Sequence, residues 1–260
     1  MSGKTIVEVC IDSAESAVAA QKGGASRVEL CAALSEGGLT PSAGMIELVR
    51  KKISIGLQVM IRPRSGDFFY SDLEFETMMR DVEVVKGLGA DGVVIGVLKR
   101  DYTVDALRVK KLVELARPLS VTFHRAFDEA QGQVAAMEEI AHLGVDRILT
   151  SGGKLSVSDG LATVKELVGK STGRVVIMAG SGITMQNVRE IISRTGVTEI
   201  HVRGAVSVSR PAGQRESALY GLAPAVVDAA AVKRLVGVIR LSAKDIPGDG
   251  KAENRLTFSE

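Results

Sequence analysis

The chain writes Glu-x-Cys twice. "TIVEVCIDS" (Thr5–Ser13) carries Glu8 and Cys10, and "SRVELCAAL" (Ser26–Leu34) carries Glu29 and Cys31, the only cysteines in the sequence. Both stretches are short and β-branched. Residues two apart on a strand share a face, so each glutamate projects beside its cysteine. Thiols ligate soft metals, and carboxyl groups do acid/base work. Three further residues have suitable types at suitable places. His124 stands in "TFHRAFD", His201 in "EIHVR" and Arg62 in "MIRPR". An imidazole titrates near neutral pH, and a planar guanidinium fork at a strand end suits an anion. A lone cysteine is more often a small buried apolar residue, and a buried Glu–Arg pair can be purely structural. The weight therefore falls on how these residues are grouped.

Positioning them requires regular elements. Eight short β-branched runs read as strands: Thr5–Cys10, Arg27–Cys31, Leu57–Ile61, Gly92–Gly96, Ser120–His124, Arg147–Thr150, Val175–Ala179 and Glu199–Arg203. Between them lie segments with apolar residues at three- and four-residue spacing, as in Ser71–Leu88, Thr103–Ala116 and Gln133–Leu143. Ser13–Lys22 opens on a capping serine, Ser42–Lys52 follows a proline, and Thr184–Thr195 follows "GSGI". "KGGASRVEL", "GLGADGVVI", "HLGVDRILT" and "RTGVTEIHV" each stop a helix at glycine and enter the next strand. The repeat length, about 30 to 35 residues, is that of a βα unit. Alternating β and α argues for a parallel sheet. Eight units in about 240 residues argue for a single closed (β/α)8 TIM-type barrel spanning 1–241, with 242–260 a polar tail. The first βα turn lacks a glycine-rich dinucleotide fingerprint, which weakens an open doubly wound sheet.

On strands 1, 2, 3, 5 and 8 one register is smoothly aliphatic. The other carries Glu8 and Cys10, Glu29 and Cys31, Gln58, Met60 and Arg62, Thr122 and His124, and Glu199, His201 and Arg203. The second set is expected to face the barrel axis. Isolated buried carboxylates are costly, so the glutamates need partners, and Arg62, His124 and His201 are the candidates. Two long βα loops, Arg62–Asp72 and Gly204–Pro224, follow strands 3 and 8 at the end where barrels place their sites. "LTSGG" and "MAGSGI" end strands 6 and 7. Their small residues, Ser151, Gly152 and Gly153 with Gly180, Ser181 and Gly182, would let backbone N–H groups approach a phosphate or carboxylate.

Composition narrows the partners. Thirty-three basic and 31 acidic residues are interspersed, for a net charge of +2, and 45% of residues are hydrophobic against 3% aromatic. No basic stripe interleaved with aromatics suggests nucleic acid, no apolar run suggests a membrane span, and the first residues lack the pattern of a secretory signal. Two cysteines are no disulfide framework, so a reducing cytoplasm is expected.

The motifs "EVCIDS", "RVELC", "SEGGLTPS", "MIRPRSGDFFYSD", "GADGVVIG", "VTFHRAFD", "RILTSGG" and "GSGIT", in this order over about residues 4 to 203, resemble the CutC proteins, named for copper homeostasis. The resemblance implies a TIM-type barrel and a cytosolic homodimer or higher homo-oligomer that binds or handles copper, with cysteines as Cu(I) ligands. Cysteine-rich vertebrate members carry a cysteine after the strand-6 "TSG"; this chain has Gly153 there. A Cu(I) site would then rest on Cys10 and Cys31, with Met60 as a candidate third donor. Adjacent parallel strands lie about 4.8 Å apart, which brings matching strand ends, and their sulfurs, together. Two functions stay open: a copper-binding protein using Cys10 and Cys31, and a barrel enzyme acting on a small phosphorylated sugar or polyol. In the second, Glu8, Glu29, His124 and His201 do acid/base chemistry, and Arg62 with the glycine loops holds an anionic metabolite.

Overall fold

The computed structural model describes residues 5–209 and 225–240. Eight parallel strands run in sequence order and close into a barrel: β1 (Ile6–Ile11), β2 (Arg27–Leu30), β3 (Gly56–Met60), β4 (Gly92–Ile95), β5 (Ser120–Phe123), β6 (Arg147–Thr150), β7 (Val176–Gly180) and β8 (Glu199–Val202). β8 pairs back onto β1. The helices are α1 (Ala14–Gly23), α2 (Ala43–Lys52), α3 (Asp72–Gly87), α4 (Ala106–Ala116), α5 (Gln133–His142), α6 (Leu161–Ser171), α7 (Val188–Thr195) and α8 (Ala229–Arg240). The expected single (β/α)8 barrel is the observed fold.

Local chemistry sets the helix ends. The Ser13 hydroxyl accepts the Ser16 N–H at the start of α1. Ser71 and Glu74 form a reciprocal capping box on α3. α6 starts after Gly160 with no side-chain cap. Val7, Val9, Val28, Leu30, Leu57, Val59, Val93 and Ile95 point outward and join the aliphatic core beneath the helices. Fully burying each such side chain contributes roughly 1.5–3 kcal/mol. The inward face is chemically different, because Glu8, Arg27, Glu29, Gln58, Thr122 and Glu199 are all buried there.

The loop after β3 is held by its own arginine. Arg64 donates to the Ser65 and Phe69 carbonyls and to the Asp67 and Glu74 carboxylates. The segment after β8, read as one loop from Gly204 to Pro224, begins instead with a 3-10 turn (Gly204–Val206). Strand β9 (Ser207–Val208) then pairs antiparallel with β10 (Val226–Val227). The rest of that loop, 210–224, and the 241/242 boundary with the tail 242–260 lie outside the described residues.

Candidate functional site

The deepest polar layer alternates charge around the barrel. Glu8 has no exposed surface. Its Oε2 accepts from Arg27 Nε at 2.5 Å, and its Oε1 lies 2.8 Å from His201 Nδ1. Arg27 also bonds Glu199, which accepts from Arg147 Nε at 2.5 Å. The register produces this arrangement, because Glu8 is level with Arg27 on β2 and with His201 on β8. Burial pushes the Glu8 carboxyl up, but the Arg27 charge and then the His201 hydrogen bond overcome it and hold the group at about 2. Two guanidiniums thus balance two carboxylates, the condition under which buried ions are tolerable. His201 would be lowered by burial; the Glu29 charge and its hydrogen bonds to Cys10 and Glu8 instead raise it well above its usual value. Of the three partners expected for the glutamates, His201 is one. Arg27 was not among them, although it alternates with Glu29 and Cys31 along β2.

One step toward the mouth lie the thiols. Cys10 is level with Glu29. Sulfur and oxygen atoms of Cys10, Glu29 and Cys31 all lie within 4.8 Å of one another, and Met60 and Val94 pack on the two cysteines. Cys31 Sγ is 3.6 Å and His201 Nε2 is 3.7 Å from Glu29 Oε2. A hydrogen bond from Cys31, aided by one from His201, lowers the Cys10 thiol to about 5 despite burial. The same hydrogen bond, with burial, pushes Cys31 up. Burial raises the Glu29 carboxyl to about 8, against the pull of the His201 charge.

Arg62 and His124 sit higher and make no hydrogen bond to Glu8 or Glu29 among the described residues. Arg62 donates to the carbonyls of Glu36, Gly38 and Gly66 at 2.7–3.1 Å, and its guanidinium carbon lies 5.1 Å from the Phe68 ring centroid. This arginine ties two loops together. His124 Nδ1 accepts the Ala126 N–H at 3.1 Å, and its ring lies 5.0 Å from that of Phe68. Burial, with the Arg62 charge, lowers it to about 3. Gly96 makes room for it: a Cβ there would come within 2.2 Å of His124 Cε1.

The loop expected to hold an external anion already holds an internal one. Asp128 accepts from the backbone N–H of Ser151 and of Gly153, each at 3.0 Å, and from the Thr150 and Ser151 hydroxyls. Asp128 lies in the same "HRAFD" as His124, but sequence alone offered no reason to pair it with strand 6. Gly180 ends β7, where a Cβ would meet Leu149 Cδ1 at 2.5 Å. Ser181 Oγ donates to the Leu155 carbonyl, its own carbonyl accepts from Val157, and Gly182 packs on Ser156. Ser181 and Gly182 serve to dock the segment after β6.

Above the thiols opens a cavity of about 600 Å³, floored by Cys10, Glu29, Cys31 and His201 and walled by Phe68 and His124 among others. It occupies the C-terminal ends of the strands.

Fold and site together define a (β/α)8 barrel whose buried polar cluster lies at the end where such barrels carry their sites. Within that class the chain belongs to the CutC family, whose pattern matches residues 5–206. A mouse relative named copper homeostasis protein cutC homolog is 49% identical over 196 residues, 75% of this chain and 72% of the relative. A family protein CutC from Bacteroides fragilis is 47% identical over 204 residues, covering 78% and 81% of the two chains. The solved structure of a CutC protein from Streptococcus agalactiae superposes with a TM-score of 0.72 at 33% identity, covering 76% of this chain and 97% of that one. Thiamine phosphate pyrophosphorylase from Pyrococcus furiosus, at 18% identity and TM-score 0.58, shares the fold alone. Among the described residues no helix is long and apolar enough to cross a membrane.

Proposed function

We propose that the protein binds Cu(I) through Cys10 and Cys31 and serves copper homeostasis. The observation that carries this is the pairing of two buried sulfurs within 4.8 Å, beside a thioether. Cu(I) is soft and prefers thiolate and thioether donors. Cys10 is drawn toward the thiolate it would need to be, and Met60 stands ready as a third ligand. The alternative donor group of Glu8, Glu29 and His201 suits the role poorly, because Glu8 is already satisfied by Arg27 and His201. Both cysteines are free, which fits a reducing cytoplasm. The names of the relatives agree with the reading, and self-association is expected by the same likeness. Copper X-ray absorption on the loaded protein tests it. Sulfur-dominated coordination supports the proposal, and a nitrogen and oxygen shell contradicts it.

A second reading, a barrel enzyme, is favoured by one observation. A cavity of about 600 Å³ falls in the usual range for small-molecule sites and far exceeds what a metal ion fills. Glu29, with its carboxyl raised to about 8, and His201 would then exchange protons with a ligand on the cavity floor. The satisfied state of Ser151 to Gly153 argues against a phosphorylated ligand.

A further inference from the structure

Three residues lining this cavity each carry a buried polar atom with no hydrogen-bond partner among the described residues: Arg62 Nε, His124 Nε2 and Glu29 Oε1. Buried polar groups nearly always find partners, so three orphans around one space mark a place for a ligand. Their chemistry tells what it is. The guanidinium Nε of Arg62 carries a hydrogen and is a donor. His124 Nδ1 accepts the Ala126 N–H, which puts the proton of the neutral ring on Nε2. It too is a donor. Phe68 packs against both groups, at 5.1 Å from the guanidinium carbon and 5.0 Å between ring centroids.

We propose that the cavity binds a small organic carboxylate, its oxygens accepting the Arg62 Nε–H and His124 Nε2–H, with a second polar group of the ligand meeting Glu29. Charge favours an anion over a neutral polyol. Arg62 forms no salt bridge among the described residues, whereas Lys154 and Glu129, which also line the cavity and form none, offset one another. Donor count favours a carboxylate over a phosphate, because two orphan donors match two oxygens and the backbone donors nearby are taken by Asp128. The inference concerns binding only and rests on neither the copper reading nor turnover.

The test uses the full chain after chelator treatment. Melting temperature and calorimetry are followed against lactate, malate and pyruvate, with inorganic phosphate and glycerol as controls. At about a hundredfold excess over Kd, a carboxylate that binds only the folded state raises the melting temperature by several degrees. The proposal predicts this for at least one carboxylate and for neither control. His124→Phe keeps a ring against Gly96 and Phe68 and removes the donor, so binding should weaken at least tenfold with the unliganded melting temperature showing a folded protein. Arg62→Lys is a second variant, read only if its loops stay folded. In the Cys10→Ser/Cys31→Ser variant carboxylate binding should persist, so loss of the copper reading and loss of this one are separable. No saturable binding of any carboxylate probe, or full-strength binding by His124→Phe, overturns the proposal.

Discussion

Cys10 stands level with Glu29 across the β1–β2 ladder, and Cys31 lies one inward-facing step nearer the mouth. The two thiols therefore meet on a diagonal rather than side by side. Strand tilt in a closed barrel imposes such offsets between neighbours. The offset places a carboxyl group beside both sulfurs and within 3.7 Å of His201. It also separates the duties of the two glutamates. Glu8 belongs to the charge-balanced layer below, and Glu29 to the thiols.

The lower layer is predicted to be structural. Arg27→Met leaves Glu8, which has no exposed surface, without its main counter-charge. Removing one partner of a buried pair costs about 3–5 kcal/mol. Urea unfolding should show a loss of that order at pH 7. A loss under about 1 kcal/mol, the scale of an exposed pair, would refute the buried-network description.

His124 predicts an acid-side dependence of stability. Its folded value, about 3, lies below the ordinary 6.5. Between these values the unfolded chain binds a proton that the folded chain does not, so stability rises with pH across this window and falls on acidification from 6.5 toward 3. The slope reaches at most about 1.4 kcal/mol per pH unit for one group. In His124→Phe this part of the slope should vanish. Glu8 adds a separate fall as pH drops from 4.5 toward 2, which the variant should retain. Parallel wild-type and variant curves between pH 4.5 and 6.5 would show that His124 titrates normally.

Asp128 is predicted to hold the β6 loop closed. Asp128→Ala strips the partner from two backbone N–H groups and two hydroxyls. Hydrogen bonds to charged groups contribute about 1.5–3 kcal/mol, so a stability loss of about 2 kcal/mol is expected. Amide exchange should quicken at residues 151–154 first. Unchanged exchange there would remove Asp128 from this role.

Gly96→Ala is expected to dislodge the imidazole, since the new methyl would sit 2.5 Å from His124 Nδ1. A shifted His124 ring resonance with the fold retained is the expected NMR signature. An unmoved resonance would mean that the backbone gives way instead.

Much of this was legible in the residues. All eight strands and the inward-facing register of Glu8, Cys10, Glu29 and Cys31 follow from alternation, a local property. The partners did not follow, because they depend on register between strands. Arg27 meets Glu8 through the tilt of β1 against β2, and Glu199 meets Arg147 although 52 residues separate them. Arg62 shows the same limit. Its place at a strand end suggested a whole fork open to an anion, but three backbone carbonyls from two loops take its terminal nitrogens and leave Nε alone without a partner among the described residues. The "TSGG" turn has the right shape for an anion, and nothing in the sequence reveals that Asp128 fills it.

Competitive titration of the reduced protein with Cu(I), under anaerobic conditions against a colorimetric chelator, addresses the central claim. The account predicts tight, saturable binding by the wild type that disappears in Cys10→Ser/Cys31→Ser, with both proteins equally folded. Undiminished Cu(I) binding by that double variant would contradict it.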